Sequence, residues 1–198
     1  MTMKTISRAA LLGAVLLAGC ASLRSVVSDV WSYGNWPPDR KPGTYAFDRL
    51  PSQAANPEQA ERAEEAARPA LEKAGFVEAA PGDPPDVLVQ VGARQTRYDR
   101  LPWDDPLWWH GGYGPWRYGP WVGPAWTFPP YYDTVFEREV AVLIRDRASG
   151  RPLYETRASS SAGSALDRET AQAMFEAALM DFPNVGLNPR RVEVVPDS

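Results

Sequence analysis

The chain is poor in the residue types that build chemistry. Among 198 residues there is one cysteine and one histidine. A single cysteine excludes an intramolecular disulfide and any cysteine-based metal cluster. A single histidine excludes a metal site built on histidines, and a serine or cysteine triad would have to recruit His110. Positive charge is also scarce: 21 Lys and Arg stand against 25 Asp and Glu, a formal net charge of −4. No basic run reaches the density that nucleic acid requires, so nucleic acid is not an expected partner. A glycine-rich phosphate loop is missing too. The glycines at 111, 112, 114, 119 and 123 alternate with prolines and aromatics and precede no helix. The apolar run 9–18 is about half the length of a membrane span.

What stands at the N-terminus is a targeting pattern. Lys4 and Arg8 form a short basic region ahead of that apolar run, and small residues follow it. This is the layout of a secretory signal, which is left out of fold reasoning. Leu17-Ala18-Gly19-Cys20 resembles the lipobox of bacterial lipoproteins. The resemblance implies a diacylglyceryl group on the Cys20 thiol, cleavage before Cys20 and acylation, such as by palmitate, of the new amino group. Several acyl chains on one residue exceed the two signals needed for stable anchoring. Ala21 follows, where family members retained in the inner membrane often carry aspartate, so the resemblance implies the outer membrane, periplasmic face. The expected organisation is a signal peptide at 1–19, a lipidated tether at 20–29 and one domain at 30–198 with an aromatic insertion at 101–130. Cleavage leaves 179 residues, enough for one domain with a real core. Without Lys4 and Arg8 the net charge is about −6.

The patterning predicts an α+β domain. Val26, Val27, Val30, Trp31 and Tyr33 are strand-formers, stopped by Pro37-Pro38. Thr44-Tyr45-Ala46-Phe47 reads as a second strand, and 51–56 as a loop. A helix then starts with Asn56 as N-cap, Pro57 in the first turn and Gln59 three residues after the cap. Ala60, Ala63, Ala67, Leu71 and Ala74 share one of its faces, and Gly75 ends it. Pro69 predicts a kink or break. Residues 76–79 read as a short strand. Residues 86–96 alternate, with Val87, Val89, Val91 and Ala93 on one face. Residues 132–147 alternate over the longest stretch and turn at Ser149-Gly150 into a returning strand from Leu153. A second helix, capped by Ser164 or Asp167, buries Ala171, Met174, Phe175, Ala178, Leu179 and Phe182. Residues 192–195 form a last strand or lie loose. The fold class is therefore an antiparallel or mixed sheet with two helices on one face and a long Gly/Pro/Trp-rich hairpin insertion.

That insertion is the most unusual part of the sequence. Residues 102–130 include seven prolines, five glycines and nine aromatics. Gly114-Pro115-Trp116, Gly119-Pro120-Trp121 and Gly123-Pro124-Ala125-Trp126 form a degenerate repeat. Ordinary solvated linkers are poor in aromatics. Three readings are open: a cover for a sheet face, a docking surface, or a contact with a second copy. The candidate contact residues are Trp103, Trp108, Trp109, Tyr113, Trp116, Tyr118, Trp121 and Trp126. Such rings suit a membrane interface, a glycan or an envelope protein.

The order of motifs resembles a known family. After the lipobox come the strand ending in Phe47, a helix ending Lys73-Ala74-Gly75-Phe76 and a strand opening Pro85-Asp86-Val87-Leu88-Val89. A glycine- and aromatic-rich insertion follows, then a hairpin around Ser149-Gly150-Arg151-Pro152-Leu153-Tyr154. A closing helix leads to Asp181-Phe182-Pro183. This is similar to the bacterial lipoprotein family carrying domain of unknown function 4136. The resemblance implies an envelope lipoprotein and carries over no catalytic residue. Pro69 and the wealth of tryptophan depart from the family's usual pattern.

No cofactor, metal or catalytic constellation is expected. Asp104, Asp105 and His110 are read as a solvated turn. Glu137 and Glu139 are read as a charged sheet face, paired with Arg145 or Arg157. The expected function is a membrane-anchored structural or interaction module of the envelope. The alternative is an enzyme acting on envelope material.

Overall fold

Period-two patterning sets the architecture. The computed structural model describes residues 25–100 and 133–196. The elements are β1 (Val26–Gly34), β2 (Thr44–Phe47), α1 (Pro51–Ala54), α2 (Pro57–Lys73), β3 (Val77–Glu78), β4 (Val87–Arg100) and β5 (Asp133–Asp146), followed by β6 (Pro152–Ala162), α3 (Arg168–Leu179) and β7 (Arg190–Val194). The strands make one sheet in the order β3-β2-β4-β5-β6-β1-β7. β2 runs parallel to β3 and β4, and the other pairs are antiparallel, so this is an α+β fold on a mixed sheet.

One sheet face is apolar and lies under the helices. Val89, Val91, Val140, Val142 and Ile144 are buried there, in cross-strand pairs Val91↔Val142 and Val89↔Ile144. β6 adds Tyr154 and Ala158, and β1 adds Val26 and Val30. α2 lies over β4, and α3 lies over β1, β5, β6 and β7. α2 reaches the sheet through alanines, whose small side chains let backbones approach; Ala63, Ala66, Ala67 and Ala70 are all buried. α3 contributes Met174 and Phe175, both fully buried. Each such large side chain stabilises the fold by about 1.5–3 kcal/mol. At one end of the core, Trp36, Phe76, Tyr154 and Phe182 pack with centroids 4.8–5.7 Å apart, mostly edge to face.

Buried polar groups tie the elements together in a chain. Arg190 Nη1 donates to Ser32 Oγ (3.0 Å), which lies 3.2 Å from Thr156 Oγ1. Thr156 Oγ1 in turn donates to the Ala178 carbonyl at 2.9 Å. β7, β1, β6 and α3 are thereby joined without leaving these hydroxyls unpaired, which burial would make costly. Two glycines are required by the backbone. Gly75 ends α2 at φ +93°, and at Gly34 (φ +136°) a Cβ would sit 2.4 Å from the Leu153 carbonyl oxygen.

The structure differs from the sequence reading in four places. Val26 to Asp29, read as part of a tether, belong to β1, because Val26 and Ser28 face the core and the segment pairs with β7. Residues 51–54 form a helical turn rather than loop, with Gln53 Oε1 accepting from the Leu50 N–H at 2.9 Å. Among the described residues there are thus three helices rather than two. Asn56 precedes α2 but makes no side-chain cap; its Nδ2 donates back to the Ser52 carbonyl at 3.2 Å. α2 also runs through Pro69 without a break. Pro69 brings no N–H to the Glu65 carbonyl, and both residues are exposed. The cap of α3 is Asp167, which accepts from the Thr170 N–H at 2.7 Å. Residues 190–194 are a strand, one of the two alternatives.

Candidate functional site

The residues read as contact or attachment sites, namely Cys20 and the eight aromatics from Trp103 to Trp126, lie outside the described residues. The same holds for Asp104, Asp105 and His110. What the structure defines is the sheet face away from the helices, the outer edge of β4, and the end where β4 leaves the sheet and β5 enters it.

The open face is charged. A single cross-strand row runs Arg191↔Asp29↔Ser159↔Glu139↔Arg94 through five strands. Arg94 holds Glu139 through Nε (3.1 Å) and Nη2 (2.6 Å), and Arg157 approaches the same carboxylate at 3.8 Å. The Arg157 guanidinium lies over the Trp31 ring, 4.9 Å from its centroid. Arg191 pairs with Asp29 at 3.3 Å. Glu139 is thus the centre of a charge ladder, as expected of a charged face, with Arg94 as its main partner. Arg145 pairs with Asp48 instead.

The outer edge of β4 is a groove. β2 pairs with β4 only from Val87 to Val89, so the edge beyond has no strand beside it among the described residues. Side chains stand in. Gln53 Nε2 donates to the Val91 carbonyl at 2.6 Å, and Gln59 Nε2 to the Ala93 carbonyl at 3.4 Å. A cavity of about 710 Å³ lies here, between Leu50, Gln53, Ala60 and Ala63 on the helices and Gly92, Ala93 and Arg94 on the strand. A second, of about 380 Å³, shares Gln59, Ala63, Ala93 and Arg94 with it and extends to Leu166 and to Arg168 at the start of α3.

Behind the groove stands a buried arginine. Arg138 is 5% exposed and occupies the cross-strand row Gln95↔Arg138↔Ser160 on the helix side of the sheet. Its Nη2 donates to Ser160 Oγ at 3.3 Å. Burial pulls its pKa down, and the nearby Asp167 carboxylate opposes that shift. Gln95 Oε1 accepts from the Leu166 N–H at 2.7 Å, which pins the segment before α3 over this row. Among the described residues no group of three or more His, Cys, Asp or Glu is placed to hold a metal ion.

At the sheet's far end, topology brings separate parts of the chain together. β1 runs antiparallel to β6, β6 to β5, and β5 to β4. The start of β1, the start of β5 and the end of β4 therefore lie at the same end. From the charged row, β1 reaches back three residues to Val26, while β4 runs on six residues to Arg100. The roots of residues 101–132 thus project about 10 Å beyond the level of Val26. The exposed Tyr98 ring stands on this extension.

Sequence reasoning found the charged face and missed the groove. The groove depends on where β2 stops and on Gln53 and Gln59, which local patterning assigns to a loop and to a helix cap. The signal available is a pair of glutamines flanking the start of a helix.

The model of the family described as Domain of unknown function (DUF4136) matches residues 29–184. The chain belongs to that family. None of the curated proteins matches it. A crystal structure of a PDZ domain protein from Parabacteroides distasonis is similar, at 14% identity and a TM-score of 0.51, over 92% of this chain and 42% of that one. The chain thus spans about two fifths of that protein's length, and the likeness is one of fold. The PelC dodecamer from Paraburkholderia phytofirmans matches at 10% identity and a TM-score of 0.40, over 76% of this chain and 95% of that one.

Proposed function

We propose that this protein is an outer-membrane lipoprotein, anchored through diacylglyceryl and acyl groups on Cys20, which serves as an interaction module of the envelope. Its contact surface is the aromatic segment from Trp103 to Trp126, and the first thing that segment meets is the membrane interface on the periplasmic face. The observation that carries the reading is the shared end of the sheet. Five residues, 21–25, separate Cys20 from β1. Fully extended they reach at most about 18 Å. The roots of the aromatic segment stand at the same end and project past the tether's attachment point. A lipid on Cys20 therefore holds this end against the bilayer, where Trp and Tyr are favoured.

Docking is also favoured over a covering role. The apolar sheet face is under α2 and α3. The other face carries the Arg94–Glu139–Arg157 and Asp29–Arg191 pairs, which need no aromatic cover. The anchor is tested by Cys20→Ser. Radiolabelled palmitate incorporation and signal removal should both be lost; a variant still processed and labelled would refute the lipobox.

A further inference from the structure

We propose that the outer edge of β4 at Ala93 and Gln95 is a strand-addition site, which takes an extended polypeptide segment from another protein. In an antiparallel pair, alternate residues turn both backbone groups toward the partner strand. The carbonyls of Val89, Val91 and Ala93 all accept from groups on the side away from β5, which leaves the even positions of β4 facing β5. Odd positions face outward. The Asp48 N–H donates to the Val89 carbonyl at 2.9 Å, which confirms the phase.

Beyond Val89 that outward row has only stand-ins. The Gln53 and Gln59 amides occupy the Val91 and Ala93 carbonyls, two residues apart. These are the positions that two N–H groups of a neighbouring strand would take, about 6.6 Å apart. Among the described residues, nothing bonds the Ala93 N–H or the N–H and carbonyl of Gln95. An exposed edge of this kind is a template for another strand, since only an extended backbone repeats donors and acceptors at that spacing.

The groove selects the form of the occupant. Helices α1 and α2 wall one side, and the segment at Leu166–Arg168 walls the far end. Ala60, Ala63 and Gly92 line the groove with small apolar surface. The inward side chains of the guest are therefore apolar and alternate with outward polar ones. Gln59, held at 3.4 Å, is the weaker cap and is displaced first.

The test uses the full-length protein and a short fluorescein-labelled peptide of alternating valine and threonine flanked by lysines. Binding is read by anisotropy. Ala93→Pro removes an outward N–H without touching the β5 ladder, a place where an edge strand tolerates proline. It should weaken binding about tenfold, the cost of one hydrogen bond plus crowding. Gln53→Ala should tighten binding about twofold to fivefold, because no cap then competes for the Val91 carbonyl. The same peptide N-methylated on alternate amides should not bind. Amide exchange gives a further check: Ala93 and Gln95 should exchange faster in the free protein than Arg94 and Thr96. Equal binding of the N-methylated peptide, no binding of either peptide, or slow exchange at Ala93 and Gln95 overturns the proposal. So does a protein that dimerises through this edge, since the guest is then a second copy.

Discussion

Asp146 closes the turn between β5 and β6. Its carboxylate accepts from the Ser149 N–H (2.9 Å), the Ser149 hydroxyl (2.6 Å) and Arg40 Nη1 (2.8 Å). The Ser149 and Arg40 bonds hold its pKa well below the usual carboxylate range. Asp86 is shifted the same way by the Thr44 N–H and hydroxyl. A folded-state pKa below the unfolded value means stability that is present above about pH 4 and lost as pH falls through the folded pKa. Asp146→Asn should therefore lower stability near about pH 7 and flatten its decline below about pH 4. Urea unfolding at a series of pH values measures both, and an unchanged acid decline would count against the assignment. At this scale the sequence was partly legible. Asp167 is one of the two caps the pattern offers, and Gly75 ends the helix because only glycine takes its left-handed backbone easily. Asn56 does not cap α2, because its side chain bonds the Ser52 carbonyl, on a turn that propensity does not mark.

Element by element, period and burial agree where a strand or helix has one dry face. The alternation of β4 and β5 and the apolar stripe of α3 are of this kind, and each appears in the structure with the expected residues inward. α1 is too short to show a period, and β7 exists because β1 offers it an edge. Pro69 shows how context overrides a local rule. It costs α2 one hydrogen bond, yet Glu65 and Pro69 are both exposed and the alanine face is buried. Pro69→Ala should restore that bond and raise stability by about 1–3 kcal/mol, measured by denaturant unfolding. A neutral or destabilising result would mean that the ring itself is part of the packing.

For the whole molecule, strand order decides the functional reading, and strand order is what sequence patterning does not carry. Nothing local says that β1 lies two strands from β5, or that residue 25 and residues 100 and 133 share one end. That juxtaposition joins the anchor expected at Cys20 with the aromatic segment, and it makes membrane contact the central claim. The direct measurement is tryptophan quenching by lipids brominated just below the head groups, on the lipidated protein in vesicles. Trp31 and Trp36 belong to the folded frame, and Trp36 is buried in the core. Six of the eight tryptophans lie between 103 and 126. If the account holds, brominated vesicles should quench roughly half or more of the emission, as rings seated at the interface would. Emission indifferent to bromine would contradict it and place the aromatic segment away from the membrane.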